Sequence, residues 1–263
     1  MPVELPASPI GREVHGKVVR LTLDHPPVNA MSPALLATLE AALATVETSA
    51  DCAVLVVAST QRVFSAGGDI AAMADWLAGP DPGTRFGAYA RAVQRVFDRL
   101  EALPIPTIAE IDGAALGGGL ELALACDFRV ASRRARFGLP ELTLGLLPAA
   151  GGTQRLTRLC GSAVAKRMIL GAEIVAADEA LRLGLVHQLA DDDTVGIRCR
   201  ELAARLEALP RRALERAKQC IGAAFGDPAA GYRMEADSLA ELAGEADTLP
   251  RFAAFLDASR RRP

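Results

Sequence analysis

The sequence predicts an α/β fold with a helical C-terminal region, on three observations. Short β-branched strands alternate with amphipathic helices through the first half; two strand-to-helix junctions are rich in glycine; and after Gly151 almost every segment reads as helix. A chain of 263 residues buries on the order of 70% of its unfolded surface, so it needs neither disulfides nor a structural metal to fold. One large domain, with or without a small appendage, is the expectation.

The elements follow in order. Val14 to Asp24 contains the alternating run Val18-Val19-Arg20-Leu21-Thr22-Leu23 behind Gly16-Lys17, which predicts a hairpin. His25-Pro26-Pro27 interrupts regular structure. Ser32-Pro33 supplies an N-cap and a first-turn proline for a helix to about Thr48, with Leu35, Leu39, Ala42, Leu43 and Val46 on one face. Ala53 to Ala58 is apolar on both alternating faces, as in a strand covered on both sides, and runs into the loop Phe64-Ser65-Ala66-Gly67-Gly68-Asp69. Met73 and Trp76 fall in the helix behind that loop and are expected in the core, with a pocket wall as the alternative. Val93, Val96, Phe97 and Leu100 mark a further helix that stops near Pro104 and Pro106; Thr107 to Ile111 is a strand, and Asp112-Gly113 opens a second glycine-rich loop. A helix from Gly118 to Ala125 and a strand from Asp127 to Ala131 complete the alternating half, which favours largely parallel pairing. Beyond Gly151 the helices are Thr153 to Leu159, Ser162 to Leu170 and Asp178 to Leu183. Only Leu185 to Leu189 reads as extended, and the tail breaks at Pro210, Gly226-Asp227-Pro228, Gly231 and Pro250. One body is expected over 1–191, followed by a helix-rich region over 192–263.

Composition removes several functional classes. The net charge is −3, from 29 Lys+Arg against 32 Asp+Glu, with 51% hydrophobic and 23% charged residues; the chain is neither disordered nor a nucleic-acid binder that works by global charge. Five cysteines are dispersed without a C-x-x-C pair, as in a reducing compartment. The start, Met1-Pro2-Val3-Glu4-Leu5-Pro6, lacks the features of a signal peptide, and no apolar run approaches the ~20 residues that span a bilayer. A cytoplasmic protein without membrane or nucleic-acid partners is expected. His15, His25 and His187 stand apart from one another and from any Asp or Cys at ligand spacing, so neither a metal nor a His-based nucleophile is predicted, and there is no G-x-S-x-G elbow.

The chemistry concentrates in the glycine-rich segments. Gly117-Gly118-Gly119 lies between a strand and a helix, where free backbone N–H groups attract negative charge; tight strand-to-helix packing is the other reading. Gly113, Gly117, Gly118 and Gly119 do not make G-x-G-x-x-G, which argues against a dinucleotide site. Glu121 falls in the first turn of the following helix among Leu120, Leu122, Ala123 and Leu124, and a carboxylate there is costly unless paired or functional. Burial raises its pKa and the helix start lowers it. Glu141, in Phe137-Gly138-Leu139-Pro140-Glu141-Leu142, also has apolar neighbours and precedes Ala149-Ala150-Gly151-Gly152-Thr153-Gln154. Two carboxylates beside two N–H-rich loops make a candidate acid/base pair next to an oxyanion site.

Phe64-Ser65-Ala66-Gly67-Gly68-Asp69-Ile70, Asp112-Gly113-Ala114-Ala115-Leu116-Gly117-Gly118-Gly119-Leu120-Glu121-Leu122-Ala123, Asp127, Phe137-Gly138-Leu139-Pro140-Glu141 and Gly151-Gly152-Thr153-Gln154-Arg155-Leu156 together resemble the crotonase superfamily, most like its enoyl-CoA hydratase branch. The similarity runs from His25-Pro26-Pro27-Val28-Asn29-Ala30 through Ala177-Asp178-Glu179-Ala180 to the last helix. It implies a spiral of ββα units whose helical C-terminal region makes trimer contacts, as a homotrimer or dimer of trimers. It implies an oxyanion hole at the N–H groups of Ala66 and Gly118, Glu121 as the base that activates water, and Glu141 as the acid at Cα. Substrate and CoA contacts would fall on Arg62, Gly67, Gly68, Asp69, Ile70, Gly117, Ala149 and Phe255, with Phe255, Arg260, Arg261 and Arg262 covering adenine or phosphates from a neighbouring subunit; a solvated surface charge is the other reading for each Arg. The implied reaction is hydration of a trans-2-enoyl-CoA to a 3-hydroxyacyl-CoA in fatty acid metabolism, with coenzyme A part of the substrate and no separate cofactor. An enoyl-CoA isomerase, a hydratase of ring or aromatic-pathway acyl-CoAs, and a non-catalytic acyl-CoA- or RNA-binding relative are the alternatives. Three positions depart from the family pattern: Leu139 stands where Gln is usual, Ala149 replaces the first glycine of Pro-Gly-Ala-Gly-Gly-Thr-Gln, and Pro250-Arg251 replaces Glu-Gly.

Overall fold

The computed structural model describes residues 8–260. The N-terminal hexapeptide, Arg261 and Arg262 lie outside the described residues, as does the side chain of Arg260.

The hairpin forms as expected: β1 (Ile10–His15) pairs antiparallel with β2 (Val18–Leu23). Helix α1 (Pro33–Glu47) starts at Ser32, whose Oγ accepts the Leu35 N–H at 3.2 Å. β3 (Val54–Ser59), β4 (Thr107–Ile111), β6 (Phe128–Ser132) and β9 (Gln188–Ala190) extend the sheet in the order β1-β2-β3-β4-β6-β9, with every pairing after the first parallel. Between them lie α2 (Ile70–Ala78), α3 (Pro82–Ala102) and α4 (Gly118–Leu124).

A second sheet departs from the sequence reading. β5 (Ala114–Leu116), β7 (Arg136–Gly138) and β8 (Val175–Ala176) form it in that order, β5 and β7 parallel. Two or three residues are too few to show a period, so these strands read as loop. They complete the ββα repeat: β4 joins the large sheet, β5 the small one, and α4 follows. The extended segment expected at Leu185–Leu189 is shifted, with pairing only over Gln188–Ala190.

Helix α5 (Gly152–Ile169) bends at Gly161, whose backbone is non-helical, so the two helices expected there abut. α6 (Ala177–Arg182) follows β8. The C-terminal helices are α7 (Val195–Glu207), α8 (Arg211–Ala223), α9 (Pro228–Ala243) and α10 (Thr248–Arg260). Gly231 and Pro250 do not break this tail. Gly231 lies inside α9 and its N–H still reaches the Asp227 carbonyl at 3.0 Å; Pro250 sits in the first turn of α10, where an N–H has no helical partner to lose.

Both faces of the large sheet are covered. Leu55 and Val57 on β3 pack into the main core with Leu35, Leu39 and Phe97, while Val54 and Val56 pack with Ile108, Val130 and the α7 residues Cys199, Leu202 and Leu206. α7 is therefore part of the sheet's own core although it lies beyond residue 191, and Leu214 of α8 packs against the same cluster. All five cysteines are free thiols. No helix among the described residues is long and apolar enough to cross a membrane, and none of them form a His/Cys/Asp/Glu group able to hold a metal ion.

Candidate active site

Apolar burial and tight backbone contact fix Glu121. The Gly118–Leu124 helix is almost wholly buried, and Glu121 is 3% exposed. The helix can press against the loop before α2 because position 119 is glycine: a Cβ there would lie 2.4 Å from the Ser65 carbonyl oxygen. Behind Glu121 the segment 149–152 folds over its carboxylate. Oε1 accepts the N–H groups of Ala150 at 2.8 Å and Gly152 at 2.7 Å. Burial dominates its electrostatics and raises its pKa to about 7; the Glu141 charge pushes the same way, and the two N–H groups and Arg155 oppose it.

Glu141 opens a short 3-10 helix, Glu141–Leu144, at the end of β7. Its Oε2 is buried and has no hydrogen-bond partner among the described residues. Burial raises this carboxyl too, against only its own backbone N–H. Both carboxylates line one cavity of about 390 Å³. Its walls are chiefly apolar, with Met31, Met73, Phe86, Tyr89, Val93 and Leu147 among them. A concave apolar site with a few convergent polar groups suits a small organic substrate.

Of the other predicted site residues, Ala66, Gly68, Ile70, Gly117, Gly118 and Ala149 line the same cavity. Gly118 carries a free N–H there: no described residue accepts from it. Ala66 differs from expectation, because its N–H donates to the Val28 carbonyl at 3.0 Å. The cause is the neighbouring turn, in which buried Asn29 bonds Ser59 Oγ and the Phe64 carbonyl and so brings Val28 against the loop. Ala66 can serve a second acceptor only by sharing that hydrogen.

Four predicted contacts lie elsewhere. Gly67 is buried behind the wall against Gly117 and Gly118. Asp69 caps α2, accepting the Ala72 N–H at 3.1 Å. Arg62 is exposed and does not line the cavity. Phe255, 69% exposed, borders a separate cavity with Pro210, Leu242 and Phe252 on the C-terminal helices. Met73 lines the cavity of the two carboxylates rather than the core, and Trp76 meets Phe86 edge-to-face and Tyr89 at a tilt, at centroid distances of 5.6 and 5.1 Å.

Sequence reasoning missed the supports of this site. Tyr89 Oη donates to the Met31 carbonyl at 2.6 Å, and the Met31 N–H donates to Gly67 at 2.8 Å, which ties α3 to the glycine loop. Arg155, 6% exposed, donates to the Ala150 carbonyl at 3.0 Å and to Asp98 and Glu101 on α3. Gln94 donates to the Ala149 carbonyl at 2.7 Å. Tyr89, Gln94 and the Arg155 contacts to α3 carry no local signal, because those partners lie more than fifty residues away in the chain.

The arrangement has known counterparts. The model of a family described as enoyl-CoA hydratase/isomerase matches residues 13–253. The chain is 34% identical over 254 residues to a short-chain-enoyl-CoA hydratase of Clostridium acetobutylicum, covering 93% of each. It is 40% identical over 207 residues to a 2,3-dehydroadipyl-CoA hydratase of Escherichia coli, covering 78% of each. Among solved structures, Pseudomonas aeruginosa DspI superposes with a TM-score of 0.89 at 37% identity over 95% of this chain and 94% of that one. An enoyl-CoA hydratase of Bacillus anthracis gives 0.89 at 32% identity over 95% and 96%.

Proposed function

The chain belongs to the enoyl-CoA hydratase/isomerase family, and from that membership we propose that it adds water across the 2,3 double bond of a 2-enoyl-CoA to give a 3-hydroxyacyl-CoA. The observation that carries the reading is the pair Glu121 and Glu141 on one apolar cavity, beside the free N–H of Gly118. In this reading the thioester oxygen lies at Gly118, with the Ala66–Gly68 loop supplying the second donor. Loss of one such donor typically costs about 3–4 kcal/mol of barrier.

The step balances with these groups alone. The Glu121 carboxylate takes a proton from water as the water oxygen bonds Cβ. The C=C pair moves toward the thioester, giving an enolate held by the N–H donors. Glu141 delivers its proton to Cα as the thioester carbonyl re-forms. Both carboxyls are raised by burial; two N–H groups on Glu121 Oε1 favour charge there, while Glu141 Oε2, with none, favours the proton. Coenzyme A enters with the substrate, and addition of water calls for no redox partner.

The same family reading makes the protein a homotrimer or dimer of trimers, supported by the apolar side chains that α8–α10 leave exposed: Ile221, Phe225, Leu239, Leu249 and Phe252 are each more than 60% exposed. Sedimentation tests this; a monomer at micromolar concentration contradicts it. A cytoplasmic location and a role in β-oxidation agree with five free thiols and with this chemistry.

The direct test is the absorbance of crotonyl-CoA. A fall in the conjugated-enone band with formation of 3-hydroxybutyryl-CoA is the expected result. No change there, together with conjugation of a 3-enoyl-CoA, replaces hydration by double-bond migration.

A further inference from the structure

We propose that Gln94 is a positioning residue for Glu121, acting through the single peptide plane that joins Ala149 to Ala150. The inference rests on the reading of Glu121 as the water-activating base. Gln94 projects from α3, and its Nε2 donates to the Ala149 carbonyl at 2.7 Å. The N–H of that same peptide unit is the Ala150 N–H, which donates to Glu121 Oε1 at 2.8 Å. A trans peptide is planar, with its C=O and N–H on opposite sides. Fixing the oxygen at Gln94 therefore aims the hydrogen at the carboxylate, and hydrogen bonds in series polarise one another. A carbonyl oxygen only accepts, so the amide nitrogen of Gln94 is the atom that faces it.

The second donor is held by a different device. The Gly152 N–H, 2.7 Å from Glu121 Oε1, belongs to a peptide whose carbonyl, on Gly151, accepts from Gln154 and Arg155 N–H in the first turn of α5. That peptide is fixed by its own helix. The Ala149–Ala150 peptide precedes the helix, and among the described residues Gln94 is the side chain that fixes its oxygen. The linkage also joins the base to α3, whose Phe86, Tyr89 and Val93 line the cavity.

The test is a pH profile of kcat/KM for crotonyl-CoA with Gln94→Met, which keeps the length of the side chain and removes the donor. The charged and titratable groups that face Glu121 are the Glu141 carboxyl, the Arg155 guanidinium and the Tyr89 phenol, and all are unchanged in this variant. The expected result is a fall in kcat of about three- to tenfold with KM nearly constant. The acidic limb should move to higher pH, because a weakened Ala150 N–H stabilises the Glu121 carboxylate less. Gln94→Lys, which restores a donor within reach of the carbonyl, should recover turnover and return the limb to its wild-type position or below it. A loss of kcat with an unmoved limb makes Gln94 merely structural and overturns the proposal, as does a kcat in Gln94→Met equal to that of a wild-type enzyme that hydrates. Absence of hydration by the wild type overturns the reading of the site as well.

Discussion

The wall that carries Glu121 directs two backbone N–H groups at one carboxylate oxygen, whereas the wall that carries Glu141 leaves an oxygen buried without a partner. The residue type is the same and both side chains are raised by burial. The difference lies in the backbone around them. Segment 149–152 is clamped from behind by Gln94 and Arg155 on one side and by the start of α5 on the other. Glu141 rides on a short 3-10 helix whose following residues, Leu142 to Gly145, are exposed. Fixed donors lower the cost of charge on Glu121, which its deeper burial raises, while Glu141 is raised by burial with only its own backbone N–H against it. The contrast teaches that burial and peptide orientation act separately on the proton affinity of two like side chains.

The hardest test of that contrast removes each carboxylate in turn. Glu121→Gln and Glu141→Gln should each lower kcat for crotonyl-CoA by about 10²–10⁴ with little change in CoA affinity. Exchange of the α-protons of butyryl-CoA in deuterated water separates the two. Butyryl-CoA has no double bond to hydrate, so its exchange needs only the group at Cα. Exchange should vanish in Glu141→Gln and persist in Glu121→Gln, as NMR would show. Equal loss in both variants would merge the two roles and dissolve the comparison.

A smaller effect is expected from Gly152→Ala. Its Cβ would lie 2.9 Å from Glu121 Oε1 and 3.0 Å from Pro148 Cβ, so the carboxylate must shift. Misplacement of a reacting group by about 1 Å costs on the order of a hundredfold in rate. Steady-state kinetics should show that loss in kcat, with the circular dichroism spectrum and the oligomer unchanged. Wild-type kcat would mean that the N–H donors tolerate displacement and that the clamp on this wall has no catalytic weight.

These supports mark the boundary of what the sequence discloses. Glu121 and Glu141 are legible because a charge inside an apolar run has a cost that local context reveals, and the strands β1 to β4 and β6 of the large sheet are legible because five or six residues suffice to show their pattern. The small sheet is not, since β5, β7 and β8 are stabilised by pairing with distant segments rather than by their own periodicity. Gln94 reads as one polar position on an amphipathic helix; its meaning comes from a carbonyl 55 residues away. The engaged N–H of Ala66 is likewise a fact of backbone direction, which residue identity does not encode, whereas the capping role of Asp69 follows from an acidic side chain just before a helix. Phe255, expected to reach CoA from a neighbouring subunit, borders a different cavity on the C-terminal helices of its own chain.

The finest effect concerns stability rather than rate. Burial raises Glu121 from an ordinary value of 4.5 to about 7, so the native state holds its proton more tightly than the unfolded chain does. Below the unfolded value both states are protonated and the site contributes nothing to the pH dependence. As pH rises past it the unfolded chain ionises first, and stability falls until the native group also ionises near 7. Above that the buried charge costs roughly 3 kcal/mol. Glu121→Gln removes this titration while its amide oxygen still accepts the N–H groups of Ala150 and Gly152. Urea unfolding should therefore find the variant more stable than wild type at about pH 8, with the gap closing toward about pH 4. Glu141→Gln should show the same direction with a smaller gap, since Glu141 is less deeply buried. A gap that is constant with pH would mean that Glu121 is stabilised equally in both protonation states, and that the two N–H groups offset the whole cost of its burial.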